Sequence, residues 1–412
     1  MKQILLWILM VLIFLVPSNL FLKFSIDTAY VRGIFVDYLV PKIYLSEALA
    51  ALFLVLYFCW QPIKLKTKTF GISLIFITVL AVEQYYLRTL GNSFFYLIQI
   101  TVTLLMGITF YTDPTLYTNK HIKYAVIVTV LFQSVLGLFQ FFTQHALYGY
   151  LFLGEPDITH HSDIVREQLL GAERILPYGT TAHPNILGGC IALYLLLSIL
   201  YWLKEKNNTN IFSYLFYSGI VLGGACLWAT QSTSAMLTLI SGLMIIGLQR
   251  IYKYPTIHVL TFFILCSAVL LSTPLILRAL PHTKSPSVTR RIFLNSAATT
   301  MIAAHPLTGV GLLSFTRQLE SIAPSTEIVR FIQPVHTVLL LWLAETGVIG
   351  AVAVLFLLWA LGRHTNRLPV LWLALLPIMA LDHYFLTIQT GMFLLVVYLA
   401  LSQQPMLEKE MV

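Results

Sequence analysis

The stretch QPVHTVLLLWLAETGVIG, residues 333–350, sets a histidine at the head of an almost unbroken apolar run and a glutamate inside it. Carried on to Ala360, the run exceeds the about 20 apolar residues that a helix needs to cross a bilayer. Its apolar residues do not alternate, and in lipid only helices and closed barrels satisfy every backbone polar group. A membrane helix is therefore the reading. Packing alone calls for neither His336 nor Glu345 in such a segment. Runs of the same kind recur along the chain, so the fold class expected is an all-α polytopic membrane protein.

The totals agree. Of 412 residues, 58% are apolar and 10% charged, against about 25% charged in an ordinary soluble domain. The formal charge of +8 reads as basic loops beside a membrane rather than as a nucleic-acid surface. Cys59, Cys190, Cys226 and Cys266 all lie in apolar runs without a paired spacing, which argues against a structural metal or a disulfide framework. The first apolar stretch lacks a small-residue cleavage site and is expected to be a retained helix. About twelve transmembrane helices are expected, over residues 4–22, 43–60, 69–87, 93–111, 122–142, 185–203, 211–229, 234–249, 257–279, 336–360, 368–381 and 384–402. They form one transmembrane domain over 1–412. A first long outside loop covers 143–184, and a larger one, 280–335, holds an amphipathic surface helix.

Basic residues orient the bundle. With the N-terminus inside, the short inside loops carry Lys64, Lys66, Lys68, Lys120, Lys123, Lys204, Lys206, Arg250, Lys253, Arg363 and Arg367, whereas the outside connections 88–92, 230–233 and 382–383 carry only Arg88, and the longer connection 23–42 carries Lys23, Arg32 and Lys42. That asymmetry is the positive-inside pattern. Ten of thirteen inside basic residues are lysine, and nine of twelve outside ones are arginine. Arginine's planar fork grips phosphate oxygens bidentately, so the outside cluster points to anion binding. Eight histidines also fall outside: His145, His160, His161, His183, His282, His305, His336 and His383.

Three outside constellations follow. In ERILPYGTTAHPNILGGC, residues 173–190, Pro184 suits the first position of a helix, Thr181 or His183 is placed to cap it, and Gly188 and Gly189 permit close helix contact. Helix capping does not explain Arg174. In SVTRRIFLNSAATTMIAAHPLTGVG, residues 287–311, a helix of about 16 residues starts near Ser287 or Thr289 and stops at Pro306, Gly309 and Gly311. It is too short and polar to span. Arg290 and Arg291 sit in its first turns, where the helix dipole disfavours cations, so an anion is expected nearby. In the third, Glu345 lies nine residues after His336, about 13.5 Å deeper and on the opposite helical face. It braces a neighbouring helix or is held neutral; it is not the histidine's acid–base partner.

Together these stretches resemble the O-antigen ligase and O-antigen polymerase superfamily. Its three signatures are matched in order by R…HPN…G at Arg174–Gly188, SVxxR…HPLTGVG at Ser287–Gly311, and HxxLLxxLAExGxxG at His336–Gly350. Two positions depart from the family pattern: Thr337 stands where asparagine is usual, and Thr233, in QSTSA at 231–235, where arginine is usual. The motifs cover roughly 170–350, and topology covers the rest.

The resemblance implies a GT-C-like membrane glycosyltransferase in the bacterial inner membrane, with both termini cytoplasmic and the active site on the outer face. The implied donor is an undecaprenyl-pyrophosphate-linked glycan and the acceptor a hydroxyl on a lipid or a second glycan. Arg174 and Arg291, supported by Arg290, are expected to hold the pyrophosphate. His336 is the expected base, with His183, Asn185, His305 and Glu345 in support. Inversion at the sugar carbon is expected, with no cofactor and no metal. A ligase, a polysaccharide polymerase and a protein oligosaccharyltransferase differ in acceptor; no extra soluble domain is apparent, which disfavours the last. A polysaccharide transporter or flippase is the rival class, but such proteins show repeat symmetry and midplane charge that this sequence lacks.

Overall fold

The computed structural model describes residues 1–24, 26–31, 33–62, 68–149, 153–159, 164–204, 211–251, 286–322, 332–362 and 370–403. The expected ninth span, 257–279, lies outside these residues, as do His160, His161, His282, Cys266 and the loop cations Lys64, Lys66, Lys206, Lys253, Arg363 and Arg367. The helices are α1 (Lys2–Leu15), α2 (Leu45–Trp60), α3 (Lys68–Tyr86), α4 (Leu90–Thr112), α5 (Ile122–Thr143), α6 (Pro184–Lys204), α7 (Ile211–Ala229), α8 (Thr233–Ile251), α9 (Pro286–Ala304), α10 (Phe315–Ile322), α11 (Val338–Gly362), α12 (Leu376–Leu381), α13 (Tyr384–Thr387) and α14 (Gln389–Leu401). Six of them among the described residues, α3 to α7 and α11, are long and apolar enough to cross a membrane. Shorter apolar helices fall on five further expected spans. The chain is thus a mostly helical, multi-pass membrane protein. The first expected span is cut short: α1 ends at Leu15 because Pro17 cannot continue a helix. The chain then enters a short strand.

Among the described residues, six strands form three antiparallel pairs: β1 (Phe21–Lys23) with β4 (Lys42–Tyr44), β2 (Tyr30–Val31) with β3 (Ile34–Phe35), and β5 (Arg166–Leu169) with β6 (Ala172–Ile175). The last is a hairpin with register Glu167 opposite Arg174.

The core is built around α6, which is buried on nearly every face. It packs against α5, α7, α8 and α14. On the other side α11 packs on α3 and α9. Helix α9 is not among the helices that are long and apolar enough to cross a membrane. Its Leu294, Ala297, Ala298 and Met301 recur at helical spacing and are buried against Phe315 and Leu319 of α10 and Leu341 and Ala344 of α11. Burying Leu294 and Met301 fully contributes about 1.5–3 kcal/mol each. Arg291 lies three and seven residues before Leu294 and Ala298, so it shares the inward face one turn nearer the N-terminus.

The turn after α9 is built into α11. Within α11, Gly347 adopts a non-helical conformation, φ 57° and ψ −157°. A continuous helix would bond Val348 N–H to the Ala344 carbonyl and Ile349 N–H to the Glu345 carbonyl. Instead, Val310 and Gly311 donate to the Ala344 and Glu345 carbonyls (2.9 Å each), while Val348 and Ile349 donate to the Pro306 and Leu307 carbonyls (2.9 and 3.0 Å). Four backbone groups released by the break are satisfied by the PLTGVG turn. Gly347 and Gly309, at φ 57° and 61°, are required here, because a Cβ on either would strike the backbone of the opposite segment. The second and third constellations are therefore two halves of one junction. It fixes α9 relative to the segment that carries His336.

Candidate active site

The approach to His183 is held by two glutamines of α5 and by Gln144, its C-cap. Gln144 accepts from Ile175 N (2.7 Å). Gln140 accepts from Tyr178 N and Gly179 N (2.9 and 2.7 Å) and donates to the Gly179 carbonyl and to Glu155 (2.9 Å each). Gln133 accepts from Thr180 N (3.0 Å) and donates to its hydroxyl (2.7 Å). Gln133 and Gln140, seven residues apart, share one face of α5, and Gln144 is its left-handed C-cap. A strand-like segment buried among helices has no ladder partner of its own, so these amides stand in for one. Thr181 then donates to the Tyr178 carbonyl (2.8 Å), and His183 Nδ1 accepts from Asn185 N (3.1 Å) at the start of α6.

Asn185 is drawn into a second network. Its amide donates to Asp382 (2.9 Å), and Ser234 at the start of α8 donates to the other Asp382 oxygen. The glycine pair explains the close approach. A Cβ on Gly188 would strike Ser232, and one on Gly189 would strike the Tyr384 hydroxyl. Those positions flank Ser234 and Asp382, so the two glycines let both segments close on α6. Thr337 donates to the Ala380 carbonyl (3.2 Å), tying the foot of α11 to the same joint. Thr233 is exposed.

At this joint two histidines meet. The rings of His336 and His383 lie edge to face with centroids 5.2 Å apart. His383 Nδ1 is 2.7 Å from the Thr387 hydroxyl. His336 Nδ1 is buried and has no hydrogen-bond partner among the described residues, although the residue keeps part of its surface accessible. Arg290 donates to Gln333 (3.5 Å), three residues before His336. Burial holds the His336 imidazole well below its ordinary value, and the charges of His383, Arg291, Arg290 and His183 push it the same way. Burial also lowers His183 to about 4, and burial with the His183 charge lowers His383 to about 4. All three rings are therefore neutral at pH 7. Burial raises the Asp382 carboxyl, opposed by the Ser234 and Asn185 hydrogen bonds and by the Arg291 charge. Arg290 is drawn down by burial and by its neighbour Arg291. Two cations crowded beside a neutral imidazole favour a bound anion.

The other expected site residues lie elsewhere. Arg174 is on β6 with its guanidinium over the Phe141 ring, 5.6 Å from the centroid, and its Nε has no hydrogen-bond partner among the described residues. His305 is exposed at the end of α9. Glu345 is buried at the α9–α11 junction, accepting from Phe315 N (3.2 Å) and the Tyr38 hydroxyl (3.4 Å). The structure adds Asp382, His383 and Ser234, which sequence reasoning did not assign. In the sequence Asp382-His383 reads only as a short joint between spans, yet two ionisable residues at such a joint were the available signal.

No curated protein matches the chain. The matched region below contains Ser234, Arg290, Arg291, His305, His336 and Glu345, whereas Arg174, His183, Asn185, Asp382 and His383 lie beyond it. Residues 218–355 match the family model for O-antigen ligase, which supports the likeness of this part of the chain to the O-antigen ligase and polymerase superfamily.

Proposed function

We propose that the protein transfers a glycan from an undecaprenyl-pyrophosphate carrier to an acceptor hydroxyl at the outer face of the bacterial inner membrane, as an O-antigen ligase. The observation that carries this reading is the neutral, partly accessible His336 ring beside Arg290 and Arg291. The acceptor oxygen attacks the anomeric carbon and gives its proton to an unprotonated ring nitrogen of His336. The carbon–oxygen bond to phosphate breaks, and its electron pair leaves with the pyrophosphate. Fixed guanidinium forks stabilise the charge that grows there. Arg291 and Arg290 take this role, with Arg174 meeting the carrier from the hairpin. Because arginines supply the positive charge, transfer proceeds without a divalent cation and is retained in EDTA. Direct displacement inverts the sugar carbon.

An imidazole with a depressed pKa is a weak base in the empty site. Bound pyrophosphate neutralises the two arginines and raises that pKa, so His336 gains basicity when donor is present. Asn185, Asp382 and Ser234 hold the joint that positions His383 against His336. Reconstituted protein, given a carrier-linked glycan and a panel of lipid and glycan acceptors, tests the reading. Transfer to a lipid-anchor acceptor supports a ligase, and elongation of the carrier-linked glycan identifies a polymerase. Carrier movement across the bilayer without transfer would replace both with a flippase.

A further inference from the structure

A cavity of about 130 Å³ opens beside His383. Its wall includes Ala182, the residue before His183, and Leu313, just past the α9–α11 junction. It borders the first signature at Ala182 and, through His383, stands next to His336, yet none of the arginines lines it. Most of the remaining wall comes from the chain's first third, which no signature covers, and Thr387 and Ile388 complete it. Phe95, Tyr96 and Gln99 of α4 face the 37–44 segment across it.

The chemistry of that wall differs from the arginine side. Lys42 and Asp37 are its cation and its carboxylate, and they are paired with each other. Lys23 reaches the same carboxylate at 3.4 Å. The lysine in the wall is already paired with that carboxylate, so the cavity offers a pyrophosphate less than Arg290 and Arg291 do together. What the wall does offer is aromatic surface from Phe95, Tyr38 and Tyr44, and hydrogen-bonding side chains from Asn19, Gln99 and Thr387. Flat apolar surface beside a few polar groups suits a ring that carries C–H faces and hydroxyl edges. The pair is half open: Lys42 is buried while the Asp37 side chain is 58% exposed, which leaves a carboxylate at the cavity wall.

We propose that this cavity binds a sugar ring of the acceptor, the one whose hydroxyl is presented to the His336–His383 pair. The inference rests on the transferase reading and deepens it. In a displacement, attacking and leaving groups approach the carbon from different sides. The arginines serve the leaving side, and the neutral, hydroxyl-suited cavity serves the attacking side. The first third of the chain then sets acceptor choice, while the signatures set the chemistry.

Full-length protein in detergent is titrated with the methyl glycosides of glucose, galactose and N-acetylglucosamine, read by saturation-transfer NMR, and separately with inorganic pyrophosphate. Two cavity variants are compared, Asn19→Leu and Phe95→Trp; the Asn19 side chain makes no hydrogen bond among the described residues. At least one glycoside is expected to bind saturably. Both variants should weaken it about tenfold or more, the loss of roughly one good contact, and leave pyrophosphate affinity unchanged. Either variant should raise KM for acceptor and spare KM for donor. Absence of saturable glycoside binding to the wild type, or binding that both variants leave intact, overturns the proposal. Glycoside binding lost in the variants, with no pyrophosphate binding in any protein, keeps the sugar cavity and instead sinks the transferase reading.

Discussion

His336 has its reactivity set by its neighbours. Burial and four nearby cationic or ionisable groups depress its pKa, so the free enzyme holds it neutral at pH 7 and protonates it only well below its ordinary range. The acid limb of kcat/KM, which reports the free enzyme, is therefore expected below about pH 6.5. Arg291→Gln removes one repelling charge and should move that limb upward while lowering transfer about 100-fold through the lost leaving-group contact. A pH–rate profile of the two proteins checks both. An acid limb that stays fixed in Arg291→Gln would separate the two residues. Asp382 is buried and shared between Asn185 and Ser234. Asp382→Ala leaves the Asn185 amide without this acceptor, a loss of about 1–3 kcal/mol, returns Ser234 to Ser232 alone, and loosens the joint under His383. Lower thermal stability together with lower kcat is expected, measured on purified protein.

Among the elements, the break in α11 is the most sharply constrained. Gly347→Ala places a side chain in a backbone region that costs about 1–3 kcal/mol and against the Leu307 carbonyl. A clear fall in melting temperature is expected, and an unchanged one would mean that the turn does not fill the break. The same test applies to the glutamine ladder. Gln140→Leu strips Tyr178 N and Gly179 N of their acceptor, and the segment before His183 should become sensitive to proteolysis. The glycine-rich motifs HPLTGVG and LAETGVIG were visible in the sequence, but their interlocking was not. Backbone donors and acceptors exchange there, and no side-chain pattern encodes which strand of backbone completes which. Asn185 stood out, whereas its partner Asp382 lies 197 residues away in a stretch that reads as a loop.

At the scale of the whole molecule, the sequence carried the membrane character and the distribution of most helices, because apolar run length is a direct physical signature. It misjudged the end of α1, where Pro17 mattered more than hydropathy. It also could not show that the first third of the chain folds back beside His383, since that approach depends on long-range packing. The inside-lysine, outside-arginine division predicts a topology. In a cysteine-free background, a cysteine at His145 should react with an impermeant maleimide from the outer side, and one at Lys120 only after the membrane is opened. The central claim is that His336 performs the transfer step while the arginines hold the donor. Its most direct test is single-turnover transfer in proteoliposomes, with donor binding measured on the same preparation. His336→Ala should bind carrier-linked glycan as the wild type does and lose transfer by about 10²–10⁴-fold; transfer at the wild-type rate, with protein at normal levels, would contradict it.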